Sequence, residues 1–153
     1  MRAVVQRVAW AKVEVEGGVV GAIERGLLVY LGAGKGDGDA ERAYVLSKVL
    51  GLRIFENEAG KMDRSVVDVG GALLVVSQFT LYGDVRKGRR PSFDGAMPPE
   101  AAELAYEAFV ADARAQGITV ATGKFRADMK VSSLNDGPVT IWIDSAKSAT
   151  MVE

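Results

Sequence analysis

Leu27-Leu28-Val29-Tyr30-Leu31, preceded by Gly26, is a continuous apolar run with the length of one β-strand. A strand with one wet face alternates apolar and polar residues, so a run without that alternation belongs where both faces are covered. The rest of the chain must therefore supply two coverings for a central strand. Ala72 to Val76 is a second apolar strand that runs into Ser77-Gln78-Phe79-Thr80. Val4, Gln6 and Val8, then Lys12 to Glu16, alternate as a strand or strand pair; Gly17-Gly18 turns the chain and Val19 to Ile23 returns. Two helices are expected. The first is capped by Asp39, carries Ala43, Leu46, Val49 and Leu50 on its apolar side, and stops at Gly51. The second starts at Pro98-Pro99-Glu100, carries Ala101, Leu104, Ala105, Ala108, Phe109 and Ala113, and ends at Gly117. Arg53 to Glu56 reads as a short strand before a turn at Asn57 to Gly60, and Val131 to Leu134 and Val139 to Ile143 read as the last strands. Two helices against about seven strands imply an α/β fold: mixed β-sheets, barrel-like or sandwich-like, with both helices packed on one face.

At 153 residues the chain has material for one domain, read here as 1–145, with a C-terminal tail from Ala146 to Glu153 to which no function is given. With no cysteine, it has no disulfides, thiolate nucleophile or cysteine-held zinc, and a reducing cytoplasm is the expected location. The N-terminal residues show no secretory signal pattern, and no run is long enough to cross a bilayer as a helix. The absence of histidine removes the usual general base and the commonest metal ligand. Chemistry here must come from hydroxyls, carboxylates, lysines, backbone dipoles or the substrate, and neither metal nor cofactor is expected. The balance of 19 basic and 20 acidic residues makes any nucleic-acid contact a matter of local clustering.

Four segments are candidates for chemistry. Gly32 to Asp39 lies between a strand and a helix, where a phosphate loop would be, but its glycine spacing fits neither a dinucleotide fingerprint nor a P-loop, and it reads as a flexible connection. Ser77-Gln78-Phe79-Thr80 sits where a buried strand emerges; it is either an ordinary strand-end cap or a site whose amides near Phe79 face a ligand as an oxyanion hole. Arg86, Lys87, Arg89 and Arg90 form the one dense basic patch, with Phe93 close enough to stack on a base, and suit phosphates of single-stranded nucleic acid or simply a solvated loop. Gly137-Pro138, ahead of an alternating strand, is a rigid corner, either a plain turn or a device that aims bare carbonyls at a ligand. Phe125 and Met129 are either core or site residues.

MRAVVQRV at the start, LRIF at 52–55, GKM at 60–62, VSQFTL at 76–81, KGRRPSF at 87–93, ADM at 127–129 and NDGPVT at 135–140 together resemble the D-aminoacyl-tRNA deacylases, also called D-tyrosyl-tRNA deacylases, from Met1 to Asp144. The resemblance implies that family's fold and a homodimeric hydrolase without cofactor, which cleaves the ester joining a D-amino acid, or glycine, to the 3′-terminal adenosine of tRNA. By the same resemblance Ser77, Gln78, Phe79 and Thr80 line the scissile ester. Gly137 and Pro138 form a cis step that reaches across the dimer and rejects L-amino acids, and Phe125, Met129 and Asn135 are substrate-binding candidates. Arg86, Lys87, Arg89 and Arg90 are expected to hold the acceptor-end phosphates. Arg126 departs from the family pattern, which favours a small residue, often glycine, at that place, and Ser132-Ser133 are more polar than usual for their strand. The alternative from another class is a non-catalytic RNA-binding dimeric module, and a metal-dependent hydrolase is disfavoured by the missing histidines.

Overall fold

A computed structural model describes residues 1–146. The elements are β1 (Arg2–Val15), β2 (Gly18–Ile23), β3 (Gly26–Gly32), α1 (Asp39–Gly51), β4 (Phe55–Glu56), β5 (Met62–Arg64), β6 (Ala72–Ser77), a 3-10 turn at Phe79–Tyr82, α2 (Pro99–Ala115), β7 (Val120–Thr122) and β8 (Lys130–Asp144). The main sheet runs β2-β1-β3-β6-β7 with β8 on the other side of β1, and β4-β5 is a separate hairpin. β1 is antiparallel to β2, β3 and β8, whereas β6 is parallel to both β3 and β7.

The apolar runs divide their side chains as a doubly covered strand must. Leu27, Val29, Leu31, Leu73 and Val75 point to a layer completed by Val45, Leu46 and Val49 of α1 and Phe109 and Val110 of α2. Leu28, Leu74 and Val76 point the other way and pack with Val8, Ala11, Val13 and Ile23 inside the curved sheet. The curl brings the edges β2 and β7 together, so that a Cβ on Gly21 would lie 2.1 Å from the Thr122 carbonyl oxygen. The sheet is thus nearly closed into a barrel with both helices outside it on one face, as expected from the sequence.

Local details depart from the sequence reading. The N-cap of α1 is Gly38, not Asp39; the Glu41 carboxylate accepts a 2.9 Å hydrogen bond from the Gly38 N–H, and Asp39 stands in the first turn where its charge suits the helix dipole. Val45 replaces Ala43 on the buried side of α1. In α2 the buried stripe is Tyr106, Phe109, Val110 and Ala113, and Leu104, placed on that stripe by the sequence reading, is exposed. The alanines of this helix pack equally well on either side, so their spacing did not settle its rotation. The three-residue β7 carries too short a pattern to be read.

The largest difference concerns β8, which is one strand of 15 residues where two were expected. Its pairing with β1 slips twice: Gln6 opposes Thr140, Val8 opposes Asn135 and Trp10 opposes Leu134. The first slip throws residues 136–139 out of the ladder as a loop opposite Arg7. The second is a bulge on β1 at Ala9 that reverses the parity of the strand, so Ala3 and Val5 face the helices while Ala11 and Val13 face the barrel interior.

Candidate active site

β6 delivers Ser77 to the rim of the sheet, and the ladder continues one step further, the Gln78 N–H donating to the Leu31 carbonyl at 2.7 Å. The chain then closes into the turn Phe79–Tyr82, with Leu81 N–H donating to the Gln78 carbonyl (3.2 Å) and Gly83 N–H to the Thr80 carbonyl (2.9 Å). A 3-10 turn leaves its first N–H groups without intrahelical acceptors. Among the described residues no acceptor is found for the N–H of Phe79 or of Thr80. Arg2 fastens the turn from behind: Nη1 donates to the Leu81 carbonyl at 2.9 Å, Nε to Asp144 Oδ2 at 3.1 Å, and the guanidinium lies 4.3 Å from the Tyr82 ring centroid. The Gln78 amide donates to Thr80 Oγ1, which occupies one lone pair of that hydroxyl.

Ser77, Gln78 and Phe79 open into a pocket of about 500 Å³. Its other walls come from Leu31 to Ala33, the 93–99 segment, α2 and Phe125. Phe93 meets Phe79 edge to face with ring centroids 5.0 Å apart, so it forms part of this wall and does not stand out as a free stacking platform. Tyr106, which sequence reasoning missed, packs 6.0 Å from Phe125 and donates its hydroxyl to the Val75 carbonyl at 2.7 Å; burial pushes this phenol up to about 12. Its position three residues before Phe109 on the apolar stripe was the available signal. Among the described residues no aspartate or glutamate lines the pocket, and Arg126 is the one charged side chain that does. The Met1 ammonium, also at the wall, is held by Asp37 Oδ2 and Ser145 Oγ, both at 2.6 Å. No group of three or more carboxylates, cysteines or histidines placed to hold a metal occurs among the described residues.

The remaining candidates lie elsewhere. Met129 packs with the barrel interior, beside Val13 and Gly123. Gly137 and Pro138, joined by a cis peptide bond, form the excursion of β8 and do not line the pocket of their own chain. Asn135 closes that excursion at its base: Oδ1 accepts from Val139 N–H at 2.9 Å and Nδ2 donates to Thr140 Oγ1 at 3.1 Å. Arg7, buried under the loop, donates from Nε to the Asp136 carbonyl (2.8 Å) and from Nη1 to the Ile54 carbonyl (2.6 Å). A guanidinium can hold two carbonyls in this way because its donors form a rigid planar fork.

The basic loop is fully exposed, but its four cations are not equivalent. Arg86 is bound in a fork to Asp84, with Nε 2.9 Å from Oδ1 and Nη2 2.7 Å from Oδ2. This pairing holds the Asp84 carboxyl down at about 2, so the pair stands at neutral pH and is lost only as pH falls through that value. No ion pair is found for Lys87, Arg89 or Arg90 among the described residues.

The sequence profile of the family described as D-Tyr-tRNA(Tyr) deacylase matches residues 4–144. The D-aminoacyl-tRNA deacylase of Sorangium cellulosum is 62% identical over 149 residues, covering 97% of this chain and 99% of the relative. That of Koribacter versatilis is 63% identical over 147 residues, covering 96% and 99%. Among solved structures, one titled as the c-Myc DNA unwinding element binding protein superposes with a TM-score of 0.89 at 44% identity, covering 94% of this chain and 98% of the other. A second, titled as a structural analysis of a probable eukaryotic D-amino acid tRNA deacylase, shares the fold with a TM-score of 0.80 at 19% identity, again over 94% and 98%. The profile match and the identity over almost the full length of both chains place this protein in the D-aminoacyl-tRNA deacylase family, a family of ester hydrolases.

Proposed function

We propose that this enzyme hydrolyses the ester between a D-amino acid and the 3′-terminal adenosine of tRNA. The observation that carries the reading is the pair of free amides at Phe79 and Thr80, beside a pocket that among the described residues is lined by no carboxylate, histidine or lysine. Two such donors suit the oxyanion of a tetrahedral intermediate, where each is typically worth about 10²–10³ in rate. Ser77, Gln78 and Thr80 orient the ester, and Phe125 and Tyr106 form the apolar floor beneath the nucleoside. The ribose 2′-OH takes the part that histidine plays in other hydrolases. A water oxygen bonds to the carbonyl carbon, the bond to the 3′-oxygen breaks, and a proton of the water passes through the 2′-OH to the departing oxygen.

Chirality is selected by the Gly137-Pro138 loop of a second copy. Among the described residues β8 is paired along one side only, and Trp10, Leu134 and Trp142 are exposed on β8 and its neighbour β1, so a protomer carries both an open strand edge and apolar surface. A loop kept outside its own pocket can act in a partner's. Backbone carbonyls that grip the substrate amino group leave the side chain of a D-residue in solvent and meet that of an L-residue head on. Glycine, with no side chain to exclude, is a second substrate class, including glycine mischarged on alanine tRNA. Incubating the protein with D-tyrosyl-tRNA and L-tyrosyl-tRNA is expected to release D-tyrosine alone. Binding of both without release of either amino acid would instead favour a non-catalytic RNA-binding module.

Lys87, Arg89 and Arg90 take acceptor-end phosphates, while Arg86 is retained by Asp84. At about 0.7 counterions released per single-strand phosphate, these three contribute about −2 to the slope of log K against log salt. Replacing all three by alanine is expected to flatten the measured slope by that amount; an equal slope for the two proteins removes the loop from the tRNA interface.

A further inference from the structure

Arg126 has a backbone φ of 65°, in the left-handed region that glycine enters freely and side-chain-bearing residues rarely occupy. Among the described residues its side chain is the one cationic side chain lining the pocket. It reaches Glu100, in the first turn of α2, at 3.3 Å, and both partners are exposed to solvent. An exposed pair of this kind holds weakly and exchanges readily for a better anion. Phe125 and Arg126 also line a second groove, of about 490 Å³, which carries Lys124 and Lys130, so Phe125 and Arg126 are shared by both walls. Lys130 is paired with Asp128 there, and Lys124 has no ion pair among the described residues.

The ligand assigned to the pocket has one anionic group next to its ribose, the 5′-phosphodiester of the terminal adenosine. We infer that Arg126 is a positioning residue for that phosphodiester: on binding it leaves Glu100 and pairs with the non-bridging phosphate oxygens, which holds the nucleoside at the depth that places the ester against the Phe79 and Thr80 amides. The inference rests on the reading of the pocket as the site of the terminal adenosine. The unfavourable backbone at Arg126 is consistent with it, since a charged side chain occupies a position where glycine would be the easier fit. A guanidinium matches two phosphate oxygens with parallel donors, which a lysine at the same place does less well.

Two small esters test this inference: D-phenylalanyl adenosine with a free 5′-OH, and the same compound with a 5′-phosphate. In the wild-type protein the phosphate is expected to raise kcat/KM about tenfold, mainly through KM, the effect of one charge-assisted contact. In Arg126→Gly, whose backbone suits the left-handed position, that ratio is expected to fall to about one, and Arg126→Lys is expected to recover part of it. A ratio that stays near ten in Arg126→Gly, or that is already one in the wild type, overturns the role of Arg126 while leaving the pocket assignment intact. If the wild type cleaves neither ester, the pocket assignment itself fails and this inference with it.

Discussion

Replacing Gly137 by alanine is expected to lower D-aminoacyl-tRNA hydrolysis by about 10²-fold and stability by about 1–3 kcal/mol. Gly137 has φ +143°, and a Cβ added there would lie 2.8 Å from Val139 Cγ2 and 3.1 Å from Arg7 Nη2. Neither neighbour can yield cheaply. Val139 is buried and its N–H is held by Asn135, while Arg7 is fixed between the carbonyls of Asp136 and Ile54. The loop must move instead, and a shift near 1 Å at a substrate-positioning group is enough for the expected loss of rate. Because the loop is proposed to act in the partner's pocket, the same variant also tests the dimer. Phe79→Pro removes one amide donor at a position where a helical turn tolerates proline, and so disables the chemistry of its own chain. Mixing it with Gly137→Ala and allowing subunits to exchange is expected to restore about a quarter of wild-type activity, since half of the dimers are mixed and each mixed dimer has one intact site. A mixture no more active than its parts would show that the loop serves its own chain.

A tRNA ending in 2′-deoxyadenosine, carrying a D-amino acid on its 3′-oxygen, is expected to be hydrolysed about 10²–10⁴ times more slowly in single-turnover measurements, with binding little changed. Among the described residues no carboxylate, histidine or lysine lines the pocket, and an alcohol such as Ser77 or Thr80 is too weak a base to take a proton from water unaided. The amides of Phe79 and Thr80, proposed to stabilise charge, move no proton. The 2′-OH, vicinal to the leaving oxygen in the substrate itself, is the group proposed to relay one to it. Cleavage of the deoxy substrate at the ordinary rate would exclude this relay and return attention to Ser77 and Thr80.

Much of the framework was legible because it depends on short-range patterns. Leu27–Leu31 and Ala72–Val76 announce doubly covered strands by lacking polar members, and the structure sends their alternate side chains to two separate cores. Helix rotation was less legible. In α2 the alanines dilute the apolar stripe, and only packing against the sheet decided that Tyr106, not Leu104, turns inward. Met129 illustrates the same limit, since a thioether suits a pocket and a core equally and its place beside Val13 depends on the closing of the barrel.

The sequence by itself determined both helices and the longer strands, though not β5, β7 or the unity of β8; it also determined that no histidine or cysteine could carry the chemistry, and which short motifs signal the family. Tertiary structure alone decided how those motifs stand to one another. The β1–β8 register, slipped at two places, sets Asp136 to Val139 outside the ladder and over Arg7, and this pairing joins residues more than 110 positions apart. The pocket is assembled from β6, the 93–99 segment, α2 and the Phe125 loop, and which amides at its mouth stay free depends on where the ladder ends, at Leu31 and Gln78. Local preferences of a chain report on neighbours a few residues away; contacts between distant segments are selected by the burial of the whole sheet, and no stretch of sequence contains that information alone.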